Sequence, residues 1–168
     1  MSKSLLKKID TFSHTLGHIE MALCCLFLVS MVVIVGVSVF LRYVLNSPLV
    51  AGMNLAALLL VWLSFFGASF VYRENGHIAI EFVVNFFSVQ VRRFLMLAVY
   101  MVIFLTLVIT VVQSGNLATI QWQQQIVALG IPRSFLSLPI IITGILMTLT
   151  TLQHMAVEIL SPLEPQDS

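Results

Sequence analysis

Charged side chains are scarce in this sequence of 168 residues. They make up 9% of the chain, whereas soluble globular domains carry roughly 25%. Basic residues form no cluster larger than the pairs Lys7-Lys8 and Arg92-Arg93, so we expect no nucleic-acid partner. This composition argues against a water-soluble domain, and at this length it leaves room for one membrane domain.

The sequence also lacks the patterns of redox, metal and catalytic sites. Its two cysteines are the vicinal pair Cys24 and Cys25 inside an apolar run, and we interpret them as small packing residues. His14 and His18 have i, i+4 spacing, but two ligands without a third do not define a zinc site. The sequence has no phosphate loop, nucleophile elbow or zinc-protease motif. We therefore expect no enzyme activity, no cofactor and no metal.

Four long uncharged runs are present instead. They lie between Glu20 and Arg42, Arg42 and Arg73, Arg93 and Arg133, and Arg133 and Glu158. A helix rises about 1.5 Å per residue and the apolar core of a bilayer is about 30 Å thick, so about 20 residues cross it. Each run predicts one span, and the fold class is all-α, an integral membrane protein with four transmembrane helices. The predicted spans are about 21–41, 49–72, 94–114 and 135–157.

Two further segments have the spacing of amphipathic helices at the membrane surface. From Leu5 to Ile19 the apolar residues recur every three or four positions, and from Glu81 to Arg92 the polar residues do so. A stripe with this spacing lies on one face of a helix, so we predict interfacial helices at about 2–20 and 78–93. One membrane domain then covers 1–160, and we expect the acidic tail 161–168 to be disordered.

Lysine and arginine predict the orientation of the chain. With four spans, both termini lie on one side of the membrane. That side would carry Lys3, Lys7, Lys8, Arg73, Arg92 and Arg93, and the other side only Arg42 and Arg133. Cytoplasmic loops are enriched in basic residues, so we predict that the N- and C-termini are cytoplasmic.

The predicted spans lack the features that move ions or solutes. None has an interior Asp, Glu, Lys or Arg, and intramembrane ionisable residues are usually functional. None is broken by glycine or proline in the manner of many secondary transporters. Small residues such as Ser64 and Gly67 favour close helix packing. The residues alone indicate a small four-helix subunit of a larger assembly, and the alternative is a self-contained small exporter or homo-oligomeric channel.

Three segments carry a more specific pattern. They are Arg42-Tyr43-Val44-Leu45-Asn46-Ser47-Pro48-Leu49, then Leu60-Val61-Trp62-Leu63-Ser64-Phe65-Phe66-Gly67-Ala68, then Arg73-Glu74-Asn75-Gly76-His77-Ile78. Together with Leu129-Gly130-Ile131-Pro132 and Leu138-Pro139, their order and spacing resemble the small membrane (Q-type) subunit of tripartite ATP-independent periplasmic (TRAP) transporters. The resemblance covers nearly the whole chain, from about residue 20 to 160.

The resemblance implies a function that depends on partners. In that family the small subunit binds a large multi-spanning subunit, which carries substrate and sodium by an elevator motion. A periplasmic binding protein delivers an organic acid, such as sialic acid or a C4-dicarboxylate. By this resemblance the chain would be a multi-pass scaffold subunit in the bacterial inner membrane. The substrate pocket would belong to the other subunits.

Two sets of interface residues follow from the resemblance and the predicted topology. The set expected to contact the large subunit or phospholipids is Arg42, Tyr43, Trp62, Ser64, Gly67, Arg73, Gly76 and His77. The set expected at the periplasmic surface is Asn46, Ser47, Pro48, Gly130, Pro132 and Arg133. Trp62 is notable because it lies in the middle of a span, where its indole N–H needs an acceptor.

The chain departs from the family pattern at the start of the second span. Family members commonly have a tryptophan and paired glutamates there, where this chain has Ala51, Gly52, Met53 and Asn54. Any role of that acidic pair in contacting a partner is therefore not carried over.

Overall fold

The computed structural model describes residues 2–47, 49–75 and 89–160. Over these ranges there are four long helices: α1 (Ser2–Tyr43), α2 (Val50–Asn75), α3 (Val89–Gln121) and α4 (Leu138–Leu160). Two short antiparallel strands, β1 (Gln125–Ile126) and β2 (Ile131–Pro132), and a 3-10 helix (Arg133–Leu136) connect α3 to α4. The predicted all-α fold class is confirmed.

Each long helix contributes a segment that is long and apolar enough to cross a membrane. The four segments are Leu16–Tyr43, Ala51–Glu74, Val91–Gln121 and Arg133–Ala156. The prediction of four spans is therefore confirmed. The third segment has 31 residues, which is about 46 Å of helix and longer than the apolar core of a bilayer. A segment of that length tilts or extends beyond the core.

The structure describes only some of the other predicted segments. Residues 2–20 are helical and continue into the first span without a break, because both belong to α1. Their position at the membrane surface stays a prediction. Residues 78–88 of the second predicted interfacial helix and the tail 161–168 lie outside the described residues, and 89–93 form the start of α3. The orientation of the termini also stays a prediction.

The main helix contacts join α1 to α2, α2 to α4, and α4 to α3, so α2 and α4 are central and α1 and α3 flank them. This arrangement leaves most leucine and valine side chains exposed. In the part of the chain that the structure describes, the buried apolar side chains are Leu58, Phe66, Met96 and Tyr100. Several of the most deeply buried residues are instead small and polar, including Ser69, Thr143 and Thr151. Such residues let helices approach closely where lipid replaces water as solvent.

Two glycines mark the closest approaches between helices. A Cβ atom added to Gly52 at the start of α2 would overlap the Ser38 hydroxyl of α1. A Cβ atom added to Gly144 of α4 would lie 2.6 Å from Val111 Cγ2 of α3. Glycine is therefore required sterically at one α1–α2 contact and one α3–α4 contact.

The connection between α3 and α4 is held by hydrogen bonds to the end of α3. The Ser134 hydroxyl donates to the Ala118 carbonyl at 2.6 Å, and the Ser137 hydroxyl donates to Gln121 Oε1 at 2.7 Å. Gly130 has a φ of 66° in the turn between β1 and β2. The amide-rich residues after the apolar part of α3 thus help to fix a folded connection at the end of the bundle.

Candidate functional site

An ion pair is buried between α1 and α2. The cluster consists of Glu20, Ser69 and Arg73, and we call it the ion-pair cluster. Arg73 Nε lies 3.3 Å from Glu20 Oε2, and Arg73 Nη2 donates to Glu20 Oε1 at 3.3 Å. The Ser69 hydroxyl also donates to Glu20 Oε1, at 2.7 Å. Glu20 is 1% exposed, so this carboxylate is satisfied within the chain.

Local sequence explains how the ion-pair cluster forms. Ser69 and Arg73 are four residues apart on α2, so both side chains lie on one helix face. Gly17 lies one turn before Glu20 on α1, and a Cβ atom there would come within 3.7 Å of Arg73 Cδ. The arginine stem thus lies against α1 beside Gly17. The sequence placed Glu20 only at a span end and gave no partner for it, whereas Arg73 was expected to contact a partner subunit or lipid.

A second polar contact joins α2 to α4 next to the ion-pair cluster. Tyr72 Oη lies 2.8 Å from Thr151 Oγ1, and Thr151 is fully buried. The Thr151 hydroxyl donates its hydrogen to the Met147 carbonyl at 2.8 Å. The hydrogen between the two side chains therefore comes from Tyr72. This bond fixes α4 to the same end of α2 as the ion-pair cluster.

Trp62 finds its acceptor within the chain. Its indole Nε1–H donates to the Phe135 carbonyl at 3.0 Å, and so joins α2 to the 3-10 helix. Its ring stacks on Phe66 with 6.0 Å between centroids, and Phe27 of α1 meets both rings edge-on. The expected need for an acceptor is thus met internally. Its contact with a large subunit stays a prediction.

The other residues predicted to contact the large subunit or lipid divide into four groups. Ser64 is exposed, and its hydroxyl donates to the Leu60 carbonyl of its own helix at 2.8 Å. Gly67 lies in the α1–α2 contact, opposite Cys24. Arg42 and Tyr43 are exposed at the end of α1, whereas Gly76 and His77 lie outside the described residues.

The residues predicted at the periplasmic surface lie mainly in the two connections. Asn46, with a φ of 49°, and Ser47 are exposed in the turn between α1 and α2. Gly130 and Arg133 are exposed and Pro132 is half-buried in the connection between α3 and α4. Pro48 lies outside the described residues. The two connections lie at the same end of the bundle, because residues from the first turns of α2, just after one connection, line a single cavity with residues of the other.

That cavity is partly polar, and we call it the Arg133 recess. Its volume is about 280 Å³, and it is lined by Asn54, Ala57, Leu58, Gln125, Ile126, Arg133 and Leu136. One cation and two amides thus surround an otherwise apolar floor. The guanidinium can donate two parallel hydrogen bonds to a carboxylate or phosphate. The recess is therefore chemically suited to an anion.

Arg42 lies beside a second and smaller cavity of about 50 Å³, lined in part by Gly52 and Met53. Met53 and Asn54 thus lie beside Arg42 and Arg133 respectively. These are the positions at which the resemblance predicts paired glutamates. Neither residue can neutralise an arginine, so the departure from the family pattern falls beside the two cations at this end of the bundle.

Acidic residues whose side chains the structure describes are confined to the opposite end. Among the side chains that the structure describes, the carboxylates are Glu20 and Glu74, and Glu74 Oε1 lies near Gly17 beside the ion-pair cluster. Within the described ranges, no group of three or more His, Cys, Asp or Glu residues could hold a metal ion.

Comparison with known proteins gives two matches. Residues 31–160 match the model of the family described as tripartite ATP-independent periplasmic transporters, DctQ component. A protein of Haemophilus influenzae described as a TRAP transporter small permease protein is 31% identical over 75 residues. That match covers 45% of this chain and 47% of the relative, so the chain spans about half the length of the relative that it matches.

Proposed function

Because this chain belongs to the DctQ component family of the tripartite ATP-independent periplasmic transporters, we propose that it is the scaffold subunit of a sodium-driven importer of an organic acid. It is a multi-pass protein of the bacterial inner membrane, and its family is a transporter component and not an enzyme family. In the proposed assembly it holds a large elevator subunit in the membrane. A periplasmic binding protein delivers a carboxylate substrate, such as sialic acid or a C4-dicarboxylate.

The observation that carries this proposal is the position and pairing of the charged residues in the spans. Charged residues of the described spans lie only near helix ends. The buried pair, Glu20 and Arg73, is neutralised within the ion-pair cluster. Over the described ranges, the middle of the bundle therefore offers no charged group for a coupling ion or a carboxylate. A subunit of this kind supports transport, and its partner carries the ion and the substrate.

The helix contacts support a rigid supporting role. The ion-pair cluster joins α1 to α2, Tyr72 joins α2 to α4, and Trp62 joins α2 to the 3-10 helix. Hydrogen bonds between transmembrane helices have few competing partners in lipid, so they restrain relative helix motion. The apolar outer faces of α1 and α3 are exposed and suit a large subunit or phospholipids.

The predicted topology places the Arg133 recess in the periplasm and the ion-pair cluster near the cytoplasm. A reporter fused to the C-terminus tests this orientation. We expect a cytoplasmic reporter to be active and an export-dependent reporter to be inactive at that position. The reverse result would place the Arg133 recess on the cytoplasmic side and overturn the topology.

Reconstitution in liposomes tests the function. We expect sodium-dependent uptake of an organic acid only when this chain is present together with its large subunit and a loaded binding protein. Flux through liposomes that contain this chain alone would instead support the alternative of a self-contained exporter or channel. Unchanged uptake by the large subunit without this chain would contradict the scaffold role.

A further inference from the structure

The Arg133 recess has a cation whose counter-charge is missing from its own surroundings. The sequence has no acidic residue in 21–73 or 82–157, so no acid lies near Arg133 in either neighbouring helix or connection. The Glu20 carboxylate is already paired with Arg73 at the other end of the bundle. Among the described residues Arg133 makes no ion pair. The exposed guanidinium is therefore available to an anion of another molecule.

The backbone that carries Arg133 is held in place from several sides. The Arg133 N–H donates to the Gln124 carbonyl at 2.7 Å. The next two residues are also held: the Ser134 hydroxyl donates to Ala118 of α3, and the Phe135 carbonyl accepts from Trp62 of α2. Ser134 is 1% exposed, whereas Arg133 is exposed. Because the backbone at Arg133 is already fixed, it loses little freedom when a ligand binds to the side chain.

The size and lining of the recess accommodate a carboxylate side chain. Its volume is about 280 Å³. The amides of Asn54 and Gln125 lie beside the guanidinium and can donate to a second carboxylate oxygen. The short, apolar floor of Ala57 and Leu58 fits the methylene groups of an aspartate or glutamate.

From this charge complementarity we propose that the Arg133 recess binds an aspartate or glutamate side chain of the periplasmic binding protein. The proposal rests on the proposed function, because it needs both the periplasmic orientation and a binding protein as partner. The carboxylate docks on Arg133 and approaches Asn54 and Gln125. In this way the small subunit fixes one point of the binding protein during substrate delivery.

The test uses the complete transporter in proteoliposomes with the binding protein encoded with it. The initial rate of uptake is measured against the concentration of loaded binding protein. We expect Arg133→Gln to raise the half-saturating concentration about fivefold and to leave the saturating rate unchanged, since a docking contact is lost. Arg133→Lys keeps the charge but loses the two-pronged geometry, so it should fall between wild type and Arg133→Gln.

A second variant tests the recess without removing Arg133. Asn54→Glu introduces an internal carboxylate beside the guanidinium, and we expect it to raise the half-saturating concentration as Arg133→Gln does. Gln123→Glu adds the same charge to an exposed residue that does not line the recess, and it should have a smaller effect. Arg92→Gln removes an arginine from α3 at the opposite end and should leave the half-saturating concentration unchanged. Co-purification with the large subunit establishes that each variant is assembled.

Charge reversal identifies the occupant. Arg133→Glu is combined in turn with Asp→Lys or Glu→Lys substitutions across the binding protein's docking face, and we expect one combination to recover the wild-type half-saturating concentration. An unchanged half-saturating concentration for both Arg133→Gln and Asn54→Glu, with wild-type uptake intact, would overturn this inference alone. A defect that follows the content of anionic lipid instead of the binding protein would assign the recess to a headgroup phosphate and also overturn it. Failure of the wild-type complex to take up any organic acid would overturn the proposed function itself.

Discussion

The two ends of the helix bundle treat their charges differently. At the end that contains Glu20 and Arg73, the carboxylate and the guanidinium lie 3.3 Å apart, and their side chains are 2% and 7% exposed. At the other end, Arg42 and Arg133 are exposed, and no acidic residue is near them in sequence or in the described structure. One end pairs its charges within the chain, whereas the other leaves its two arginines exposed and without an acidic neighbour among the described residues.

This difference separates a structural role from an interface role. A buried ion pair is weak evidence for stability, but it strongly disfavours helix registers that leave one charge buried alone. An exposed arginine contributes little to the stability of the chain. The end with the ion-pair cluster therefore holds α1 and α2 in register, and the end around the Arg133 recess is available to a partner.

The largest expected effect on the free energy of unfolding is at the end of the bundle that contains the ion-pair cluster. Glu20→Gln leaves Arg73 buried without its counter-charge, so we expect the free energy of unfolding to fall by about 3 kcal/mol. The measurement is SDS titration of the purified chain in mixed micelles. The double variant Glu20→Gln with Arg73→Gln should recover most of that loss, because both buried charges are removed together.

Two single variants sharpen this first prediction. Glu74→Gln alters an exposed neighbouring carboxylate, and Arg133→Gln alters the exposed cation at the other end. Each should change the free energy of unfolding by no more than about 0.5 kcal/mol. A loss for Arg133→Gln as large as that for Glu20→Gln would remove the distinction between the two ends.

The second prediction concerns how α1 and α2 are joined near the Arg133 recess. There the helices meet by close approach, because Gly52 contacts Ser38. Gly52→Ala forces that contact apart, and we expect a loss of about 1–2 kcal/mol in the free energy of unfolding. Adding Ser38→Ala should recover part of it. Gly36→Ala is the matched control, because no atom lies within 4 Å of a Cβ added there, and a loss equal to that of Gly52→Ala would contradict the steric explanation.

The sequence predicts the number of spans well because uncharged runs of sufficient length have few alternatives. It does not predict the order α1–α2–α4–α3. Helices that are apolar around their whole circumference carry little information about which face meets which neighbour. The pairing of Glu20 with Arg73 was missed because Glu20 was used only as the boundary of an uncharged run, and Arg73 was expected to contact a large subunit or phospholipids. A signal was present: residues 20 and 73 are equally distant from the turn at Asn46–Ser47, so an antiparallel helix pair brings them to the same depth.

The Arg133 recess is predicted only in part. The sequence identifies Arg133 as a periplasmic residue, but Asn54 and Gln125 are distant in sequence and reach it only through the folded connection. That connection depends on side-chain hydrogen bonds from Ser134 and Ser137 to the end of α3, which no local pattern specifies. The part that the amides of this segment play in the connection follows only from the structure.

The third prediction tests the link between the middle of α2 and the Arg133 recess. Trp62→Phe retains an aromatic ring beside Phe66 but removes the donor to the Phe135 carbonyl. We expect a loss of about 1 kcal/mol in the free energy of unfolding, because one hydrogen bond is lost. Protection of the 3-10 helix in hydrogen–deuterium exchange should also decrease. Unchanged protection would show that the serine contacts alone hold the backbone of Arg133.

The smallest expected effect belongs to the contact beside the ion-pair cluster. Tyr72→Phe removes the hydrogen bond to Thr151 and keeps the ring, so we expect a loss of about 0.6 kcal/mol, the average for hydrogen bonds between transmembrane helices. Thr151 retains its bond to the Met147 carbonyl, and no buried donor is left unpaired at that position. Because this contact joins α2 to α4 and the ion pair joins α1 to α2, the losses from Tyr72→Phe and Glu20→Gln should add in the double variant. A combined loss that departs from the sum by more than about 0.5 kcal/mol would show that the ion-pair cluster and the Tyr72–Thr151 contact are coupled across three helices.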